Sequence, residues 1–296
     1  MLDSLMLKLA SRNIIHMSDR KFIEKKYFLK MGKQLNLDNP TTFNEKLQWL
    51  KLYNRRPEFT KMVDKYEAKK YVGGILGDEF IIPTIGIYNN FKDIKFNDLP
   101  NQFVMKCTHD SESTIICKDK EKIDLKEMER KITKNLKTSY YYKCREWPYK
   151  NVKPRIIVEK YMATEEQKEL IDYKFFCFNG KPEFIYISEG LSNHKTAKIS
   201  FANMNYELMK FHRKDYRPFE KLPPKPQNFE EMKKLAEILS KDICFVRVDF
   251  YSIENRIYFG ELTFYPGGGY IPFEPEEYDD ILGKMLELPK EKREEK

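Results

Sequence analysis

The chain lacks any long apolar run: no stretch approaches the roughly 18 consecutive hydrophobic residues that a membrane-crossing helix needs. Its five cysteines, Cys107, Cys117, Cys144, Cys177 and Cys244, are odd in number, scattered and never spaced CxxC, which argues against zinc. Most of them sit in apolar runs, as buried thiols do, and a reducing, cytoplasmic compartment is expected. No arginine-rich block or nucleic-acid-binding motif stands out. No Ser/His/Asp or Cys/His arrangement points to a nucleophilic side chain. There is no internal repeat, and the only biased tract is the charged tail 290–296, expected to be disordered.

What is present bounds the rest. With 296 residues, 41% of them hydrophobic and 14% aromatic, the chain can bury a substantial core as one composite domain or two lobes. A net charge of +8 favours acidic partners: nucleotides, anionic polymers or a membrane surface. Leu2, Leu5, Met6 and Leu9 space an amphipathic helix that is too short and interrupted for a secretory signal. Docking on the protein's own core and contact with a membrane surface are both open for it.

Residues up to about 57 read as helical. Thr42 and Glu45 form a capping-box pair, with Phe43, Leu47, Leu50 and Leu52 on the inner face. A helix is expected from Phe59 to Val72, ended by Gly73-Gly74. Strands follow at Phe103–Cys107 and Thr114–Cys117, then a helix near Leu125–Thr138. The second half holds strands at Arg155–Tyr161, Tyr173–Phe178 and Glu183–Ile187, with a two-residue turn at Asn179-Gly180. A helix from Asn228 to Asp242 has Asn228 as N-cap with Glu231, and Met232, Leu235 and Leu239 buried.

The most informative stretch comes next. Val246–Phe250 and Tyr258–Thr263 read as two strands joined by a turn at 253–256, and Pro266-Gly267-Gly268-Gly269 follows. Strand side chains alternate faces, so Arg247 and Asp249 share one face, as do Glu261 and Thr263. Two carboxylates and a hydroxyl make an all-oxygen set suited to Mg²⁺, and an adjacent arginine suits phosphate or a developing oxyanion. A solvated sheet face would carry the same alternation.

In order, the polar exceptions are Asp64-Lys65, Lys106, Glu159, Asp172, Lys174, Arg247, Asp249, Glu261 and Thr263. That order resembles the ATP-grasp superfamily. Closer strings are Thr42-Phe43-Asn44-Glu45-Lys46-Leu47-Gln48-Trp49, Asp64-Lys65-Tyr66, Phe103–Cys107, Asp172–Lys181, Val248–Tyr251 and Phe259–Phe264. They are similar to its TupA-like branch of teichuronopeptide biosynthesis, over about residues 30 to 285. The resemblance implies an α+β, ATP-grasp fold: two antiparallel-sheet lobes clasping ATP, preceded by a mostly helical N-terminal segment. The expected divisions are that segment at 1–57, an N-terminal lobe at 58–102, a lid at 103–158, a core with the metal site at 159–289, and the tail.

The resemblance also implies roles. Lys65 and Lys106 would contact ATP phosphates, with the hydroxyls of Ser111 and Ser113 as further phosphate partners. Glu159, Lys160, Tyr161 and Met162 would be the adenine hinge, and Asp172 would take the ribose, with Glu165 and Glu166 as rivals. Asp249, Glu261 and Thr263 would hold Mg²⁺. Arg247 and Lys174 would serve the reacting phosphoryl group. His109, Gly267 and Gly268 would lie near substrate. Two departures stand out. Thr263 replaces the usual Asn, and His109-Asp110-Ser111-Glu112-Ser113 replaces a loop close to His-Gly-Ser-Gly. Losing both glycines restricts the backbone, and two carboxylates repel a triphosphate.

The implied activity is an ATP- and Mg²⁺-dependent carboxylate–amine ligase acting through an acyl-phosphate. Its partners would be a uronic acid of a surface or capsular polysaccharide, or a precursor, and an amino acid or small amine. Nucleic acid is not expected. The expected location is the cytoplasm, with peripheral association at the inner face of the membrane left open. A glycosyltransferase of polysaccharide biosynthesis and a non-catalytic protein of the same pathway remain as alternatives. No compact Asp-x-Asp loop supports the glycosyltransferase, and only the altered loop favours the non-catalytic protein.

Overall fold

A computed structural model describes residues 2–164, 170–191 and 195–290. Glu165, Glu166 and the tail beyond Lys290 lie outside them. The chain divides into two compact units: Lys8–His16 with Arg56–Met162, and Met1–Leu7 with Met17–Arg55 and Ala163–Lys296.

The chain opens with helices α1 (Leu2–Ala10), α2 (Asp19–Met31) and α3 (Phe43–Tyr53). The capping box of α3 forms as its sequence requires: Glu45 N donates to Thr42 Oγ1 at 3.2 Å, and Thr42 N donates back to Glu45 Oε2 at 3.2 Å.

The helix expected over 59–72 is instead two, α4 (Glu58–Val63) and α5 (Glu67–Leu76). Asp64 makes the break: its backbone is extended and its Oδ1 accepts from the N–H groups of Tyr66 and Glu67, restarting a helix where one was ending. Because α5 begins late, it runs through Gly73-Gly74 and stops before Gly77.

Strands β1 (Thr84–Tyr88), β2 (Phe103–Cys107) and β3 (Ile115–Cys117), helices α6 (Leu125–Leu136) and α7 (Tyr141–Cys144), and strand β4 (Ile156–Lys160) complete this unit. The sheet order is β1-β4-β2-β3, with antiparallel pairs. Phe103, Met105 and Cys107 of β2 and Ile156 and Val158 of β4 share a core with Met128 and Ile132 of α6. Alternation therefore sends Lys106 and Glu159 to the opposite face.

The other unit adds β5 (Asp172–Phe178), β6 (Lys181–Glu189), β7 (Lys198–Asn203), β8 (His212–Arg213) and α8 (Phe229–Ser240). Then come β9 (Phe245–Ile253), β10 (Arg256–Thr263), β11 (Phe273–Glu274) and α9 (Tyr278–Met285). Five strands form an antiparallel sheet in the order β10-β9-β5-β6-β7. Both expected hairpins close through two residues at positive φ, Asn179-Gly180 and Glu254-Asn255. Asn228 precedes α8 but makes no capping bond; its Oδ1 accepts instead from Ser252 Oγ at 3.1 Å.

One sheet face packs on α8, where Phe175 meets Phe229. The other face changes character along the strands. At one end Phe176, Phe178 and Phe245 surround Phe43 of α3, with ring centroids 5.0–6.4 Å apart. At the other end the same face carries Asp172, Lys174, Arg247 and Asp249. Helix α3 thus covers the apolar half and defines where the polar half begins.

Candidate active site

In the four-stranded sheet, Glu159 is buried between two lysines. Its Oε2 lies 2.6 Å from Lys106 Nζ, and its Oε1 pairs with Lys69 Nζ. Lys69 also donates to Ile82 O at 2.8 Å and Thr84 Oγ1 at 3.1 Å. Burial would raise the Glu159 carboxyl, but Lys106 and Lys69 hold it below its ordinary range. Burial pushes the Lys69 ammonium down against the pull of Glu159. Lys69 was not singled out from the sequence. The available signal was its i+4 spacing from Lys65, which is weak in a lysine-rich chain.

Lys65 donates from Nζ to the carbonyl of Asp110, and its own N–H bonds Thr108 O at 3.0 Å. Both ends of Lys65 therefore tie the junction between α4 and α5 to the 108–113 loop. In that loop Ser113 Oγ donates to Asp110 Oδ1 at 2.5 Å and accepts from Cys107 N at 2.7 Å. Ser111 Oγ bonds Tyr140 Oη at 2.8 Å, and Glu112 pairs with Lys143 at 2.5 Å. His109 Nε2 faces the carbonyls of Asn135 and Thr138 at 3.2 and 3.1 Å, so the ring caps the end of α6. Side-chain bonds of this kind hold the loop where glycines would have left it free. Lys160, which donates to Pro83 O at 3.0 Å, and Tyr161 line a surface groove of about 530 Å³ with Pro83, Ile85, Pro100 and Gln102.

In the five-stranded sheet, register sets the second cluster. Lys174 stands opposite Asp249, and Thr263 opposite Arg247. Lys174 Nζ lies 2.8 Å from Asp172 Oδ1 and 3.0 Å from Asp249 Oδ2. Arg247 grips Asp249 with two bonds, Nε–Oδ1 at 2.7 Å and Nη2–Oδ2 at 2.6 Å. The same Nη2 is 3.0 Å from Glu261 Oε1 and 3.0 Å from Thr263 Oγ1. Burial raises the Asp249 carboxyl despite Arg247 and Lys174. Burial would lower Lys174, but Asp172 and Asp249 raise it and keep it cationic. Ser188 Oγ reaches Asp172 Oδ2 at 3.3 Å, and Asp172 followed by burial raises the Tyr251 phenol. Ser188 and Tyr251 were missed because neither carries a charge that breaks an apolar pattern.

The oxygens of Asp249, Glu261 and Thr263 converge on one guanidinium nitrogen. A set of two carboxylates and a hydroxyl fits Mg²⁺, which keeps its remaining positions for phosphate and water oxygens. No cluster of three or more His, Cys, Asp or Glu suited to a metal exists among the described residues.

Gly267 is exposed, Gly268 half-buried and Gly269 buried. Gly267, Gly268 and Gly269 all have positive φ. Lys51 Nζ donates to Gly268 O at 2.6 Å, and Gln48 Nε2 to Gly269 O at 2.6 Å. The turn docks α3 through its carbonyls.

Two sheets that set lysines and a glutamate on one face, and Lys, Arg and paired carboxylates on another, define an ATP-grasp protein. The family model TupA-like ATPgrasp matches residues 45–287, and the chain belongs to that family. That is the family the motif order resembled. Among solved structures, the chain is similar to D-alanine–D-alanine ligase from Helicobacter pylori (16% identity, TM-score 0.42, 83% of this chain and 69% of that one). It is also similar to the D-alanine–D-alanine ligase from Bacillus anthracis complexed with ATP (18%, 0.36, 68% and 53%). A third is an L-amino acid ligase from Bacillus licheniformis (12%, 0.42, 79% and 50%). The chain thus spans about half to seven-tenths of their length. No curated protein matches it in sequence.

Proposed function

We propose that the chain is a carboxylate–amine ligase that forms an amide through an acyl-phosphate. Its carboxylate is a uronic acid of a surface or capsular polysaccharide or of a precursor, and its amine an amino acid or small amine. The observation that carries this reading is the Lys174–Asp249–Arg247–Glu261 array, which brings two cations and two carboxylates to one sheet face.

In this reading a carboxylate oxygen of the substrate attacks the γ-phosphorus of ATP, and ADP leaves. The amine nitrogen then attacks the acyl carbon, loses a proton, and inorganic phosphate leaves. Lys65, Lys106 and Lys174 pair with phosphate oxygens as point charges. Arg247 shifts from Asp249 toward the charge that builds on the transferring phosphoryl group and the tetrahedral carbon. Asp249, Glu261 and Thr263 would hold Mg²⁺, which when bound would supply positive charge against the phosphates. Glu159, Lys160, Tyr161 and Met162 read adenine, and Asp172 takes the ribose. For Glu159 this role is added to its two lysine contacts. His109, Ser111 and Ser113 shape the loop from within, and Gly267 and Gly268 place the carbonyl-rich turn.

The net positive charge of +8 suits an anionic acceptor. We place the work in the cytoplasm. Among the described residues no helix is long and apolar enough to cross a bilayer. The test is ADP release from ATP and Mg²⁺, with glucuronic and galacturonic acid derivatives crossed against amino acids and small amines. Release that needs both an acid and an amine supports the proposal. Release with neither, or with an acid outside the uronic class, overturns the substrate assignment.

A further inference from the structure

Residues 2–33 precede the family match, which begins at 45. They carry a disproportionate share of the charge. Eight Lys and Arg stand against Asp3, Asp19 and Glu24, which accounts for five of the chain's eight net positive charges. All three acids are already in ion pairs: Asp3 with Lys25, Asp19 with Arg55, and Glu24 with Arg20. The other cations of the segment are Lys8, Arg12, Lys21, Lys26, Lys30 and Lys33, the last of them paired with Glu276.

The same segment exposes large apolar side chains. Leu2 is 72% exposed, Leu5 54%, Phe28 48% and Leu29 50%. On α2, Lys21, Lys25, Phe28 and Leu29 fall at i, i+4, i+7 and i+8, one helical face, while Phe22, Ile23 and Tyr27 are buried on the other. On α1, Leu2 and Leu5 share a face at i and i+3, with Leu7 and Ala10 turned inward. The Lys25–Asp3 bond, 2.5 Å, sets the first turn of α1 beside the turn of α2 that leads into Phe28 and Leu29. Four large apolar groups on two adjacent helices, rimmed by lysines, are more than the scattered exposure an ordinary surface tolerates.

We infer that α1 and the outer face of α2 form a docking surface for an anionic lipid bilayer. Helices of this kind lie in the interfacial plane with apolar side chains at the headgroup boundary and lysines against acidic headgroups. Charge selects this occupant over a second copy of the chain, because self-association would oppose two strongly basic faces. The inference goes beyond the ligase reading and does not depend on it.

The test is co-sedimentation of the full-length protein with phosphatidylcholine vesicles and with vesicles containing about 30% phosphatidylglycerol, at low and moderate salt. Binding is expected only to the anionic vesicles and should weaken at least tenfold as salt rises. Leu5→Ser with Phe28→Ser and Leu29→Ser should cut partitioning about tenfold, as should Lys21→Glu with Lys30→Glu. ATP turnover in solution should be unchanged in both sets, because none of these residues belongs to the site. Equal binding to both vesicle types, no binding, or wild-type binding by either variant set overturns the proposal. Two other results overturn it in favour of a different occupant. One is a dimer in light scattering that the serine variant abolishes. The other is tight binding to soluble polygalacturonate that the serine variant retains.

Discussion

Lys69 on α5 and Glu159 on β4 form a buried ion pair, and the second oxygen of that carboxylate holds Lys106 at 2.6 Å. Lys69 thereby fixes, at one remove, the ammonium proposed to meet ATP. Lys69→Met should cost on the order of 2 kcal/mol of stability, because a buried carboxylate loses a partner. It should also raise KM for ATP several-fold with a smaller effect on kcat, and Lys69→Arg should restore most of both. Urea unfolding and ATP kinetics check this. An unchanged KM in Lys69→Met would leave Lys69 a purely structural residue.

Lys106→Ala and Glu261→Gln should each lower ATP turnover by about 10²–10³ while far-UV circular dichroism stays as in the wild type. Glu261 is 41% exposed at its side chain, so its substitution does not open the core. Wild-type rates in either variant would sink the site assignment.

Glu159 supplies a pH test. Its folded-state pKa lies below the ordinary value of 4.5, so its contribution is present above that value. It is lost as pH falls through the lower, folded pKa. Glu159→Gln should therefore be less stable than wild type at neutral pH, and the gap should close below about pH 4.5. Denaturant midpoints measured from pH 3 to 7 decide it; a gap that widens on acidification contradicts the pairing.

Gly269→Ala should destabilise by about 1–3 kcal/mol. The residue has φ +71°, and an added Cβ would collide with Gln48 Nε2. Gln48→Ala in the same chain should recover the clash but not the backbone strain. A midpoint equal to wild type in the single variant would mean that the turn is not fixed on α3.

Much of this was readable from residues alone. The capping box at Thr42 and Glu45, the turn at Asn179-Gly180 and the charged alternation across β9 and β10 are local patterns with one physical outcome each. The break at Asp64 was not, because an aspartate inside an apolar helical period looks like a solvated position until its carboxylate is seen to cap the next helix. Strands β7 and β8 escaped notice for want of a strong alternation. Lys51 was hidden for another reason. A lysine at the end of a helix is ordinarily exposed, whereas this one is fully buried, with its Nζ 4.8 Å from the Tyr270 ring centre. The pairing of Arg247 with Asp249 and of Glu261 with Thr263 was legible as shared strand faces, whereas Lys174 entered only through the family resemblance. The array they form depends on the register between β5 and β9, which no single segment specifies.

The ties of α3 set an order on how the chain comes together during synthesis. Asn44 bonds Asp279, Lys46 bonds Gly283 O, Gln48 bonds Gly269 O and Lys51 bonds Gly268 O, each across more than 200 residues. The helix emerges from the ribosome long before any of these partners exists. Until they arrive, Phe43, Leu47 and Leu50 have no finished surface to cover, and the apolar half of the large sheet waits uncovered with them. Late closure of this kind makes the nascent chain a client for hydrophobic-surface chaperones over most of its translation. A ribosome stalled before residue 268 would hold a protein whose early helix is complete but lacks every one of these polar ties.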